Sequence, residues 1–558
     1  MPLRASSVLL LAAILLSAAP RESAAAAPFR LGGDERLLVL APHPDDETLG
    51  AGGLIQEALA LDMPVRVCFF TMGDNDEIAY LFTRRHPDST PGAARALGGH
   101  RQNEAAAAAR QLGLPTNDVV YLGYPDYGTL AIWEKHWRTV PPFRSVLTRA
   151  AAVPYDRALT PGSAYAGEDI LDDLEEVIRD FRPTHVLVSH PADHNVDHRA
   201  LHLFARVALW NLAGDGIAPE LLAYPAHFTQ WPEPRRYHPM RPASPPHFLD
   251  GGAGWLEYVL APFQVSNKFA AIRRHHSQYR YASNYLDSLI RKSEIFAPIP
   301  DLALPGGIGS AAIDEEDVSQ FRPDGDLFGE LSRLSEQWTA IAEQNAAETA
   351  ALGGDDNDLL RCSVSGDGDS LALAFQFQNP LSPAAALTLH VFGYRADVPF
   401  GEMPKIYVKA TPGRIAAVYD LKEKRPEDSV ELVPGGGDQI ALRVPYAFLG
   451  DPEKILFGAR LSKGTLPVDW AAWRVIDLAG APVPPPPPPT TGAEPPPPPP
   501  PPAGPAPAPE TAPPPPPAAE EPAATGPAAQ KPAALVPRVN LPKKPIPART
   551  EADEPVMW

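Results

Sequence analysis

Two apolar runs in this chain each end abruptly in a cluster of histidines and aspartates. Arg36–Pro42 (RLLVLAP) leads into APHPDDETLGAGG, with His43, Asp45 and Asp46 packed together. His185–Ser189 (HVLVS) leads into SHPADHNVDHRALH, which carries His190, Asp193, His194, Asp197, His198 and His202. Short apolar runs of this kind read as strands buried on both faces, as in a parallel sheet. Such sheets gather the carboxyl ends of their strands around one crevice. Two strand ends that both carry His and Asp therefore point to a shared site.

The surrounding texture agrees. Val65–Thr71 and Val119–Gly123 read as further strands, and Gly53–Leu61, Asn103–Leu112 and Ile170–Phe181 as helices. Strand followed by helix, repeated, predicts an α/β fold: a Rossmann-like, mostly parallel sheet with helices on both faces. A helix is expected to begin near Val196. Residues 355–480 alternate apolar and polar positions at period two, which predicts an all-β sandwich domain.

Composition divides the rest of the chain. The 558 residues exceed one ordinary domain, and 31 of the 70 prolines crowd into residues 481–558. Proline runs cannot bury apolar surface, so residues 481–558 are expected to be an extended or disordered tail. Residues 1–27 have the pattern of an export signal: Arg4, the apolar run Val8–Ala19, and small residues at Ala24–Ala27. The expected organisation is a signal peptide (1–27), an α/β domain (28–312), a helical linker (313–354) containing a helix at Ser332–Ala350, a sandwich (355–480) and a tail (481–558). This predicts an exported protein, periplasmic, in the cell envelope or secreted, with no membrane span in the mature chain. The net charge of -20 argues against nucleic acid as a partner. Cys68 and Cys362 lie in different expected domains and read as buried free thiols.

His and carboxylate groups bind zinc at about 2.0–2.2 Å, and catalytic sites keep three protein ligands and one open position. Adjacent carboxylates can divide the work, one on the metal and one handling protons. Three other readings compete with a metal site. Asp45 or Asp46 as a helix N-cap would make His43 a bystander. A nucleotide loop fails because Gly50, Gly52 and Gly53 do not form G-x-G-x-x-G. A helical face of His194, His198 and His202 would leave the first cluster unexplained, and His202 reads as a packed core histidine.

APHPDDETLGAGG followed by DHNVDHRA resembles the LmbE-like, or PIG-L, family of zinc-dependent N-deacetylases. The likeness extends over roughly residues 36–298, with Thr71 and Gly73, RQNE at 101–104, LGYPD at 122–126, and KFAAIRRHHSQYRYASNYLDSLIRKSEIF in support. The resemblance implies that His43, Asp46 and His198 hold Zn2+ and that Asp45 is the general base. It implies that Arg101 and Asp126 contact sugar hydroxyls, and that an acetyl group is removed from an N-acetylglucosamine-containing glycan or glycoconjugate. The sequence departs from the family where a histidine often precedes the zinc histidine by three residues; here it is Asn195. Asn195 or His194 is then expected to hold the oxyanion, with His227, also a candidate substrate contact, as a further replacement. In HHSQY (275–279) a structural role is favoured, with Gln278 and Glu294 satisfying buried polar groups.

Residues 355–480 resemble more weakly the sandwiches related to carbohydrate-binding module family nine, through Asp355–Asp358, Asp369–Phe377, VPYAFLG and Asp469–Asp477. Trp470 and Trp473 are expected either to stack on sugar rings or to pack in the sandwich core. The end of the tail is locally basic and finishes at Trp558, a candidate docking segment for a cell-envelope partner. Two other functions remain open at this stage: a zinc amidase acting on a non-sugar N-acyl conjugate, and a glycan-binding protein with a vestigial catalytic domain.

Overall fold

The computed structural model describes residues 26–75, 90–228, 231–246, 249, 254–314, 359–463 and 466–479. The expected signal up to residue 25, the linker helix and the proline-rich tail lie outside the described residues.

The α/β part has strands β1 (Ala27–Pro28), β2 (Leu37–Ala41), β3 (Val65–Thr71), β4 (Val119–Tyr124), β5 (His185–Ser189), β6 (Glu220–Tyr224), β7 (Leu256–Val259) and β8 (Ser293–Pro298). They form one sheet in the order β1-β7-β8-β6-β5-β2-β3-β4. β4, β3, β2, β5 and β6 are mutually parallel, and β8 joins β6 antiparallel. β2 and β5 are wholly buried, as their unbroken apolar runs require. The chain leaves β2 outward to β3 and β4, then returns to place β5 on the other side of β2. That reversal opens a crevice between the carboxyl ends of β2 and β5. The two His/Asp clusters follow these two strand ends.

The helices are α1 (Asp46–Ala60), α2 (Pro91–Leu112), α3 (Thr129–Lys135), α4 (Gly167–Phe181), α5 (Val196–Leu212), α6 (Pro262–Ile272) and α7 (His276–Leu286). α1 starts seven residues before the expected Gly53, directly at the first cluster. Its glycines lower helix propensity, but packing requires them. A Cβ on Gly50 would lie 2.4 Å from Tyr224, and one on Gly53 would lie 2.5 Å from Leu260. α2 starts well before the expected Asn103, with Thr90 as N-cap and Pro91 in its first turn. α4 also begins slightly earlier, at Gly167, whereas α5 begins at Val196.

The strands β9 (Leu302–Ala303), β10 (Ile308–Asp314), β11 (Leu359–Asp367), β12 (Ser370–Phe377), β13 (Ala385–Tyr394), β14 (Lys405–Thr411), β15 (Arg414–Asp420), β16 (Glu423–Arg425), β17 (Glu431–Val433), β18 (Gln439–Pro445), β19 (Lys454–Lys463) and β20 (Leu466–Asp477) build the second region. Their two sheets run β10-β11-β12-β18-β17 and β16-β15-β14-β13-β19-β20-β9. Leu373, Phe375 and Leu442 of one sheet share a core with Leu389, Val408 and Phe457 of the other. The expected domain boundary at 312 is corrected. β9 pairs with β20, and β10 pairs with β11 along its whole length, so both strands belong to the sandwich. Cys68 in β3 and Cys362 in β11 are buried and free. Among the described residues no helix is long and apolar enough to cross a membrane.

A buried ion pair ties α1 to α6 and β8. Lys268 Nζ donates to Glu294 Oε1 at 2.7 Å and to the Leu49 carbonyl at 2.8 Å. Glu294 also accepts from the N–H groups of Gly53 and Leu54, at 2.7 and 2.9 Å. Removing one partner leaves the other as a buried, unbalanced charge. Lys268→Met is expected to destabilise the fold by about 3–5 kcal/mol, read by urea unfolding. A loss below about 1 kcal/mol, the range of exposed pairs, would show that the pair is not a buried clamp.

Candidate metal centre

His43 leaves β2 at its carboxyl end, and His198 lies in the first turn of α5 beyond β5. Their rings meet over Asp46, the first residue of α1. His43 Nδ1 lies 3.2 Å from Asp46 Oδ2 and 3.3 Å from His198 Nε2, and His198 Nε2 lies 3.1 Å from Asp46 Oδ2. All three residues are buried, and Asp46 Oδ1 has no hydrogen-bond partner. Two imidazole nitrogens and a carboxylate this close, with a buried acceptor left over, fit a cation ligand set.

The opposite nitrogen of each ring meets a carboxylate. His43 Nε2 lies 3.2 Å from Asp126 Oδ1 and 3.4 Å from Asp197 Oδ2. His198 Nδ1 lies 3.2 Å from Asp193 Oδ2. These partners leave His43 Nδ1 and His198 Nε2 to face the cation. Asp197 is held in turn by the N–H of Tyr127 at 2.5 Å and by the N–H and hydroxyl of Thr129 at 3.1 and 2.5 Å. Asp193 accepts from the N–H groups of Asn195 and His227 at 2.8 and 2.9 Å. Burial works against protonation of both rings, but Asp126, Asp197 and Asp46 outweigh it for His43. Asp193 and Asp46 do so for His198, raising it to about 9. The site is thus built for positive charge.

Asp45 stands outside the ligand cluster. It has φ +146°, a left-handed-side backbone that sends adjacent carboxylates in different directions. The Asp45 N–H donates to Glu47 Oε2 at 3.1 Å, and the side chain of Asp45 makes no cap hydrogen bond to α1. The N-cap reading of this carboxylate therefore does not hold. Arg101 lies 3.7 Å from Asp45 Oδ1. Burial raises the Asp45 carboxyl to about 7, against the pull of Arg101 and with the help of Asp46. A carboxyl poised near neutrality is suited to accepting a proton.

Several expected roles change. Arg101 and Asp126 were expected to meet sugar hydroxyls, but both are buried and engaged within the protein. Arg101 donates to the carbonyls of Gly73 and Pro44, each at 3.1 Å, and Asp126 orients His43 and accepts from the Asn75 N–H. Asn195, expected at the oxyanion, is the N-cap of α5, its side-chain oxygen accepting from the Asp197 N–H at 2.8 Å. His194 precedes α5, so it shares no helical face with His198 and His202, and its ring packs against Phe228 and Trp470. His202 is buried on the Ser189 carbonyl. The histidine brought to the ligands is His227, whose ring centre is 4.8 Å from that of His198 and whose Nε2 is 3.8 Å from Asp46 Oδ1. Its side chain remains 36% exposed, so it lies at the rim of the cluster. His275 lies 3.3 Å from Glu47 and so supports the Asp45 turn. Asp193, Asp197 and Thr129 had no assigned role in the sequence. The only signal for the two aspartates was their crowding in DHNVDH, and Thr129 carried none.

Residues 38–209 match the family model described as GlcNAc-PI de-N-acetylase, PIG-L. The chain carries a PIG-L family domain. A 1D-myo-inositol 2-acetamido-2-deoxy-alpha-D-glucopyranoside deacetylase 1 of Saccharopolyspora erythraea is 35% identical over 173 residues, 29% of this chain and 48% of the relative. A deacetylase of the same description from Mycobacterium avium is 39% identical over 88 residues, 16% of this chain and 28% of the relative. The chain thus spans about half, or less, of these relatives. Among solved structures, N,N'-diacetylchitobiose deacetylase from Pyrococcus horikoshii aligns with 47% of this chain and 82% of its own at 19% identity and a TM-score of 0.28.

Beside this PIG-L centre lies an acid with a different role. Asp74 is buried, accepts from the Tyr155 hydroxyl, and leaves Oδ1 without a partner. Burial, then Asp126, raises its carboxyl to about 7, with Tyr155 and Arg101 opposing. A folded pKa above the unfolded one makes the folded state bind more protons. Stability therefore falls as pH rises from about 4 to about 7, and the loss is complete above that. Asp74→Asn removes the titration, so its thermal midpoint relative to the parent should be higher at pH 8 than at pH 5. An equal offset at both pH values would show that Asp74 does not ionise in this window.

Proposed function

We propose that this chain is an exported zinc-dependent hydrolase that removes the N-acetyl group from an N-acetylglucosamine-containing glycan or glycoconjugate. The observation that carries this reading is the pairing of a two-histidine, one-aspartate cluster with a separate buried carboxyl, Asp45, pushed up to about 7. Tetrahedral zinc with bonds of about 2.0–2.1 Å separates its ligand atoms by about 3.3 Å, close to the spacing of His43 Nδ1, Asp46 Oδ2 and His198 Nε2. The acetylated sugar is supported by the PIG-L match and by the named substrates of the relatives. Export is supported by the character of residues 1–27.

When bound, zinc supplies a Lewis acid for the amide carbonyl and makes water acidic enough to ionise near neutral pH. The protein's own groups do the remaining work. His43, Asp46 and His198 would hold the ion, with ring orientation set by Asp126, Asp197 and Asp193. Asp45 accepts the proton of the attacking water and returns it to the leaving amine. His227 is pushed down to about 4, first by burial and then by His198, so it stays neutral at working pH and can donate one N–H to the developing oxyanion.

Acetate release from chitooligosaccharides, with and without a chelator, tests the reaction. Release should stop on chelation and return with zinc; release unaffected by metal removal would overturn the mechanism. Asp45→Ala should keep zinc and lower kcat by about 10²–10⁴. His198→Ala should lose the metal. Equal zinc content in the two variants would overturn the division between base and ligand.

A further inference from the structure

The sandwich sits on the helices that carry the metal centre. Trp133 of α3 is fully buried and meets three sandwich rings: Phe400 at 5.3 Å, Phe392 at 5.7 Å and Trp473 at 5.9 Å. It also meets Phe204 of α5 at 5.0 Å. Phe392, Phe400 and Trp473 belong to the same hydrophobic core as the α/β sheet rather than to the core between the two sandwich sheets. Trp473 is therefore neither a sugar platform nor part of the sandwich interior. The junction is also charged: Arg138 donates to Asp420 at 2.6 Å.

Two routes lead from strand β20 to the ligands. Trp473 packs on Trp133 in α3, and the first residue of α3, Thr129, grips Asp197, which meets His43. Trp470 lies under the Arg199 guanidinium, 4.3 Å from the ring centre, and meets His194 at 6.2 Å. Arg199 follows the ligand His198 directly, and its Nε is buried without a hydrogen-bond partner. The ring of Trp470 thus contacts this side chain face-on.

We propose that strand β20 is a positioning element of the metal centre, with Trp473 holding α3 and Trp470 holding the start of α5. The sandwich is then a structural half of the catalytic unit, not an appended glycan-binding module. This rests on the reading of His43, Asp46 and His198 as metal ligands. The chain order suits the idea, because β9 and β10 precede the segment 315–358 and the remaining sandwich strands follow it.

The test uses full-length Trp473→Leu, Trp473→Phe and Trp470→Leu, with zinc affinity measured by chelator competition alongside kcat, KM and the circular dichroism spectrum. Groups that orient metal ligands contribute about 10–100-fold in metal affinity. Trp473→Leu, folded by its spectrum, should bind zinc at least about tenfold more weakly and lose kcat with little change in KM. Trp473→Phe should recover most of both. Trp470→Leu should weaken zinc in the same direction. Wild-type zinc affinity in folded Trp473→Leu and Trp470→Leu would overturn the proposal. A parent chain that binds no zinc would instead overturn the metal reading itself.

If the leucine variants do not fold, a protease site placed within 315–358 of the otherwise unchanged chain decides the matter. After cutting, the two pieces should co-elute and keep the parent's zinc affinity, because β10 remains paired with β11. Separation of the pieces, with the amino-terminal piece retaining that affinity, would overturn the proposal.

Discussion

His43 and His198 can each offer one defined ring nitrogen to a cation only because the other nitrogen is held. An imidazole buried without such a partner could adopt either tautomer and rotate about its ring axis. Here Asp126 and Asp197 meet His43 Nε2, and Asp193 meets His198 Nδ1. The rest of the α/β structure serves those carboxylates. The turn after β4 delivers Asp126 and the Tyr127 N–H, and the start of α3 delivers the Thr129 N–H; the loop after β5 delivers Asp193, and the first turn of α5 delivers Asp197. The sheet order makes this arrangement available, because β2 and β5 are neighbours whose following segments diverge.

This dependence explains which parts of the structure could be read from residue order. β3, β5 and the start of α5 fall where an apolar run meets a polar cluster, and such boundaries are local. The beginning of α1 was hidden because Gly50 and Gly53 look like helix breakers until Tyr224 and Leu260 are seen to fill the space beside them. The place of β9 and β10 in the sandwich is not legible locally, because a strand's membership is decided by its partner, and β11 lies beyond a long intervening segment. The ligand trio was visible because His43, Asp46 and His198 sit in dense motifs. Their supports were not, since Thr129 acquires meaning only when Asp197 is placed against it. Arg101 and Asp126 also belong to motifs, but only the fold shows that Arg101 holds the Gly73 and Pro44 carbonyls and that Asp126 lies against His43.

The tryptophans of β20 mislead for a related reason. Exposed aromatic side chains are a natural platform for sugars, and sequence does not show what covers them. Trp473 is covered by Trp133, and Trp470 carries Arg199 on its face. Large aromatic rings at a domain junction bury much apolar area with little loss of rotamer freedom. They therefore suit a rigid seam between two sheets' worth of structure. Arg138 and Asp420 at the same seam add direction, because a guanidinium–carboxylate pair fixes relative orientation as well as separation.

The backbone at Asp45 sets the two adjacent carboxylates apart. Two adjacent aspartates on a regular helix or strand would be steered by the local repeat, and both could not serve a compact ligand cluster and a separate proton-transfer role. The positive φ at Asp45 breaks that repeat at the cost of about 1–3 kcal/mol of local strain. The surrounding hydrogen bonds oppose its relief: the Asp45 N–H is taken by Glu47, and its carbonyl accepts from Thr48 and Leu49. Asp46 is then free to face the imidazoles as a low-pKa ligand, while Asp45, away from them and buried beside Arg101, keeps a carboxyl near neutrality. One strained residue between a buried strand and a helix thus separates the carboxylate of the metal cluster from the carboxyl proposed to transfer protons.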